Sequence, residues 1–300
     1  MNIVLTQSIN KATELEIVVL KNLKNLKSKV KKELTNIGFS IKGSEPLFLN
    51  NVCYVGVDKL KGEDLKIALS NVIQKIAKTK FEKLFINLIQ DKKELNLKDI
   101  SEGLLLGSYN FDKYKSTRKE KKFSVRIGIS DSSNSQNKLE KELKDHLNIV
   151  NSVNMVRDFV NTTPEDFYPE TMAQNAINIA NENGLECKIY GEDYLKENNM
   201  NAMLAVGRAS RHESKLVHLS YKPKNSKGKI VVVGKGLTYD SGGLSLKSTG
   251  GLSMKCDKSG GCAVLGIMNA IAKLNYEYEV HGIIGAVENM IGGDAYKPDD

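Results

Sequence analysis

Two lysines and two aspartates stand close together in a glycine-rich stretch near the end of the chain. The stretch reads Val233-Gly-Lys-Gly-Leu-Thr-Tyr-Asp240-Ser-Gly-Gly-Leu-Ser-Leu-Lys247, then Met254-Lys-Cys-Asp257-Lys-Ser-Gly-Gly. Asp240 and Asp257 are hard oxygen donors that suit divalent cations. Lys235 and Lys247 could serve as charge partners, as electrophiles or, if deprotonated beside a cation, as ligands. Glycines on both sides of Lys235 allow close approach of backbone or ligand. A phosphate loop is excluded, because Lys235 is followed by Gly236 and Lys247 is preceded by Leu246. A dinucleotide fingerprint would need glycine where Tyr239 stands. Ser241 lacks both the G-x-S-x-G setting of a nucleophile and an evident base. Spacing alone leaves a metal site and a structural salt-bridge cluster equally open.

The same residues closely resemble the GKG-[IL]-T-[FY]-DSGG-x-S-x-K and MK-x-D-x-[GS]-G motif of the leucyl aminopeptidases of peptidase family M17, the cytosol aminopeptidases. The resemblance extends to Val156-Arg-Asp-Phe-Val-Asn-Thr-Thr-Pro164, Met203 to Ser210, Leu216 to Pro223, Glu288-Asn-Met290 and Ala295-Tyr-Lys-Pro298. It covers roughly residues 150–300, and the first half carries no specific motif. The resemblance implies a two-metal hydrolysis of the first peptide bond of peptide substrates, with a leucine-type preference. Lys235 and Asp257 would be ligands of the tighter metal site and Asp240 would bridge both metals. Lys247 would be catalytic, polarising the scissile carbonyl, and Met254 would line the pocket for the first side chain. Lys235, Asp240, Lys247, Met254 and Asp257 together would form the substrate-binding surface. The implied cofactors are two divalent ions, Mn2+ or Zn2+, with Mg2+ also used in the family, and the implied assembly is a homohexamer.

The sequence departs from the family pattern in two places. Lys247 and Asp257 are ten residues apart, one fewer than the family shows, across a glycine-rich Ser248 to Ser253 loop. The family's next motif, NTDAEGR, does not occur before Asp300. The expectation is therefore a C-terminally truncated chain that holds about half of a two-metal centre, poorly soluble and nearly inactive alone. Neither Arg208 nor Arg211 is expected to replace the arginine of that motif.

The elements that must position these residues read as α/β throughout. Leu15 to Leu20, Val52 to Val57, Leu84 to Ile89 and Phe123 to Ile129 read as strands, with helices over Val30 to Ile37 and Leu65 to Ala77. A polar stretch, Ser130 to Lys138, has linker composition. Leu139, Leu143, Leu147, Val150, Val153, Val156 and Val160 then recur at helical spacing up to Asn161-Thr-Thr-Pro164. In the second half Pro169 opens a helix lined by Met172, Ala176 and Ala180. Leu185 to Tyr190, Met203 to Val206 and Leu216 to Tyr221 read as strands, Gly260 to Leu274 as an apolar helix and Val280 to Val287 as a buried strand. The β-branched run Ile230 to Val233 suggests a strand buried on both faces, with Lys235 at its carboxyl end where open α/β sheets bind ligands. The expected plan is two α/β domains joined by a long helix: 1–138, a linker helix 139–163, and a partial catalytic domain 164–300.

Composition bounds the alternatives. No run approaches the roughly 20 apolar residues of a membrane span, and the N-terminus lacks a signal-peptide layout, so a cytoplasmic location is expected. Cys53, Cys187, Cys256 and Cys262 lack paired metal-ligand spacing and are expected reduced and mostly buried. His281 is expected to be a packing or hydrogen-bonded histidine. His146, His212 and His218 show no carboxylate constellation, which argues against a histidine-based zinc site. The resemblance also implies, as an alternative, the DNA-binding architectural role of some bacterial members of the family, for which the net charge of +8, with lysines crowded at 21–32 and 113–122, is the support in this sequence. A catalytically inactive scaffold is the other.

Overall fold

A computed structural model describes residues 1–43, 45–88, 96–117, 121–129, 133–248, 250–295, 297–298 and 300. Ile89, Thr249, Tyr296, Asp299 and parts of the expected 113–122 and 130–138 segments lie outside the described residues. The chain divides into two compact units, Met1–Val150 and Asn151–Asp300.

The first unit contains β1 (Asn2–Thr6), β2 (Leu15–Leu20), α1 (Ser28–Asn36), β3 (Leu47–Leu49), β4 (Val52–Gly56), α2 (Glu63–Ala77), β5 (Lys83–Leu88), α3 (Leu97–Gly107) and β6 (Ser124–Gly128). Its sheet runs β1-β6-β5-β2-β4-β3. All neighbours are parallel except β3, which lies antiparallel to β4. Parallel strands covered by helices are apolar on the covered face. Ile17, Val19, Val55, Ile86 and Ile127 accordingly share one buried cluster with Leu69, Ile73 and Leu104 of α2 and α3.

Helix α4 (Ser133–Asn161) spans the division between the units. The structure shows helix from Ser133, where polar composition suggests a linker. Serine, asparagine and glutamine are found in helices as well as loops, and composition alone does not separate the two.

The second unit continues with α5 (Pro169–Asn183), β7 (Glu186–Tyr190), α6 (Glu192–Glu197), α7 (Asn201–Gly207), β8 (Lys215–Tyr221), β9 (Lys229–Asp240), a 3-10 segment (Gly250–Lys258), α8 (Ser259–Leu274) and β10 (Glu279–Asn289). Pro169 sits in the first turn of α5, and left-handed Gly184 closes it. Met203 to Val206 is helical, not a strand, because it lies inside α7. Four apolar residues in a row fit either state, and here the chain packs as a helix on β10, with Met203 beside Gly285.

The sheet order is β7-β8-β10-β9. β8 is antiparallel to both of its neighbours, and β10 runs parallel to β9. One face packs Val217, Leu219, Ile284 and Ala286 against Met172, Ala176, Val264 and Met268 of α5 and α8. The expectation of a β9 start buried on both faces is corrected. β9 stands at the end of this order, and Val231 and Val233 are 57% and 74% exposed. A β-branched run reports strand propensity, whereas burial depends on what neighbours the strand. Among the described residues no helix is long and apolar enough to cross a membrane.

Candidate metal centre

Strand β9 carries Lys235 and ends on Asp240, and the 3-10 segment carries Asp257 into α8. The strand and helix touch through glycines. A Cβ at Gly234 would lie 2.5 Å from the Gly260 carbonyl oxygen, and one at Gly260 would lie 2.9 Å from the Lys235 nitrogen. That approach brings the Lys235 Nζ to 2.8 Å from Asp257 Oδ1. The other oxygen of the same carboxylate, Oδ2, is buried and has no hydrogen-bond partner among the described residues.

Asp240 is held by three donors. Lys247 Nζ donates to Oδ2 at 2.5 Å, while Asn289 Nδ2 and the Gly242 N–H donate to Oδ1 at 2.7 and 3.0 Å. Burial alone would raise this carboxyl, but the hydrogen bonds from Lys247, Asn289 and Gly242 outweigh it and hold it below the ordinary carboxylate range. Lys247 is shifted the other way, above the usual lysine value, chiefly by its hydrogen bond to Asp240. It is therefore an ammonium at neutral pH. The turn that returns it to Asp240 closes through Lys247 N–H to the Ser241 carbonyl at 2.9 Å and passes through left-handed Gly242 and Gly243. Lys247 Nζ also lies 3.2 Å from Met254 Sδ. Asp257 adds its charge to the field at Lys247, so the two lysine–carboxylate pairs are neighbours.

The five residues singled out in the sequence thus fall into two sets, Lys235 with Asp257 and Lys247 with Asp240 and Met254. Two further residues shape the site. Asn289 reaches Asp240 from β10, a strand 49 residues away in sequence. Lys258, next to Asp257, is fully buried, donates to the Thr162 carbonyl at 2.8 Å and stands 5.3 Å from the centre of the Phe167 ring. It fastens the turn that carries Asp257. Neither role is visible in spacing, since both depend on contacts between distant segments. Arg211 pairs with Glu165 and with Asp294.

Among the described residues no three His, Cys, Asp or Glu side chains converge as a ready ligand set. The oxygen donors here are two carboxylates, each paired with a lysine. Both carboxylates are neutralised by lysines, and one buried carboxylate oxygen is unused. A hard divalent cation fits such a set, since it would satisfy the orphaned oxygen of Asp257.

The model of the "Cytosol aminopeptidase family, catalytic domain" matches residues 154–300, and that of the same family's N-terminal domain matches residues 4–118. A "Probable cytosol aminopeptidase" of Wolinella succinogenes is 40% identical over 272 residues, covering 88% of this chain and 56% of the relative. One of Campylobacter jejuni is 43% identical over 258 residues, covering 84% of this chain and 53% of the relative. The chain thus spans about half the length of these curated relatives. The solved structure "Bottromycin maturation enzyme BotP in complex with Mn" shares the fold, with a TM-score of 0.77 over 96% of this chain and 62% of that one, at 23% identity. With both of its units matched, the chain belongs to the cytosol aminopeptidase family.

Proposed function

We propose that this chain is the part of a metallo-aminopeptidase that carries Lys235, Asp240, Lys247 and Asp257, and that the whole protein releases N-terminal residues of leucine type from peptides. The observation that carries the reading is the buried Oδ2 of Asp257 beside Lys235, without a hydrogen-bond partner among the described residues, on a chain whose motif matches the family. Lys235, Asp240 and Asp257 would hold two divalent ions, Mn2+ or Zn2+ with Mg2+ as a substitute, and Asp240 would be shared between them. Bound there, the ions supply Lewis-acid polarisation of the scissile carbonyl and activation of a water.

The chain's own residues do the rest. Lys247 stays protonated because Asp240 holds it, so its ammonium can donate to the oxygen that gains charge as the carbonyl is attacked. Asn289 and Gly242 fix Asp240 in one rotamer and keep it ionised. Met254 presents a thioether surface beside Lys247, suited to an apolar first side chain. The free thiols fit a cytoplasmic setting. A homohexamer and further ligands from outside these 300 residues complete the reading, which expects little turnover from this chain by itself.

Mn2+ titration by calorimetry tests the proposal. Binding to the parent chain and its loss in Asp240→Ala and Asp257→Ala is the expected result. Equal binding by parent and variants overturns it, and leaves the structural salt-bridge cluster.

A further inference from the structure

On the sheet face turned away from α5 and α8, two histidines from neighbouring strands meet. The β8–β10 register sets His281 opposite Ser220 and Ile283 opposite His218, so the imidazoles are diagonal neighbours. His218 Nε2 and His281 Nδ1 are 2.8 Å apart, and Ser220 Oγ lies 3.2 and 3.1 Å from the same two nitrogens. The other ring nitrogen of His281, Nε2, donates to Glu279 Oε1 at 2.7 Å. That acceptor assigns the tautomer. In the neutral form of the ring, donation from Nε2 leaves the lone pair on Nδ1, the nitrogen that faces His218. A carboxylate behind the ring is also the outer partner that metal-ligating histidines keep.

We propose that His218 and His281 form a second metal site, for a borderline divalent transition ion such as Zn2+, Ni2+ or Cu2+. Ser220 and water would complete the coordination. Ring nitrogens sit about 2.1 Å from such an ion, which places them roughly 3.3 Å from each other. The present 2.8 Å separation reaches that by small rotations of the two rings. Both histidines are partly exposed, so an ion has access. The charged groups around the pair are Glu186, Lys188 and Lys222 on the β7 and β8 side and Glu279 with Lys229 on the β10 and β9 side. In register, His281 pairs with Val231 and Gly285 with Lys235. The histidine pair therefore lies roughly 13 Å along the sheet from Lys235. Its two nitrogens select a softer ion than the carboxylates there.

Cu2+ titration followed by electron paramagnetic resonance tests this independently of the proposed function. The host is the Asp240→Ala/Asp257→Ala chain, which removes the carboxylates of the other centre. The expected spectrum shows one equivalent of Cu2+ with hyperfine coupling to two imidazole nitrogens. Adding His218→Gln or His281→Gln abolishes that coupling, His146→Gln and His212→Gln leave it, and Glu279→Gln weakens affinity about tenfold. A second measurement uses the parent chain with 15N-labelled histidine and Zn2+. Shifts at the ring nitrogens of His218 and His281 support the site. Absence of two-nitrogen coupling, unchanged affinity in His218→Gln, or Zn2+ shifts at neither ring overturns it.

Discussion

Asp240 and Lys247 hold each other in opposite charge states, and this has a definite pH signature. The folded carboxyl lies below its free value of 3.8, so the pair contributes stability above that pH. The contribution is lost as pH falls through the lower folded value. Lys247 has a folded value above 10.5, so its contribution is complete below that pH and fades as pH rises past the folded value. Urea denaturation of the parent and of Asp240→Asn should therefore differ at pH 7 and converge toward pH 2. A difference that persists unchanged at pH 2 would show that the carboxylate is not the stabilising form. The histidines behave differently from what their sequence neighbours suggest. Glu279, Glu142 and Glu170 lie 2.7, 3.7 and 3.6 Å from His281, His146 and His212. Two of these pairs are close in sequence, but the pairing of His218 with His281 crosses 63 residues and depends on strand register, so a single sequence does not reveal it.

Among the elements, β9 and α8 make the centre by touching. A Cβ at Gly234 would meet the Gly260 backbone and the Val264 Cγ2, and one at Gly260 would meet the Lys235 backbone. Gly234→Ala should cost about 1–3 kcal/mol in urea denaturation, the usual range for overpacking. It should also weaken Mn2+ binding, because the strand carrying Lys235 is pushed away from the helix that follows Asp257. Wild-type stability in that variant would show that the strand and helix can separate without strain. The sequence showed the alternation of strands and helices well, because long β-branched runs and helical periodicity are strong local signals. It misread Met203 to Val206, where the apolar run is too short to have a period. It did not reveal β1, β3 or α3, whose short or mixed patterns are stabilised by the sheet and helix they join. The four charged residues stood out by type, but their spacing left a metal site and a salt-bridge cluster equally open and only the resemblance chose between them, whereas Asn289 and Lys258 act across the fold.

For the molecule as a whole, β9 stands at the end of the second sheet among the described residues, with Val231 and Val233 exposed. An apolar strand with an unpaired edge is a template for association. The 300-residue chain should scatter light at micromolar concentration, and Val231→Lys/Val233→Lys should reduce the scattering while leaving the far-ultraviolet spectrum unchanged. Scattering that does not respond places the association elsewhere. The positive charge of +8 predicts DNA retardation only at low ionic strength, and a gel shift surviving physiological salt would restore the architectural reading. The thiols give the same chain a built-in chemical reporter. Cys53 and Cys262 are fully buried, with thiols pushed up to about 12 by burial, and burial also raises Cys187. Cys256 is exposed and adjoins Asp257. A maleimide fluorophore should therefore label the native protein fastest at that one position, giving an optical readout of whatever settles beside Asp257 without a single substitution in the chain.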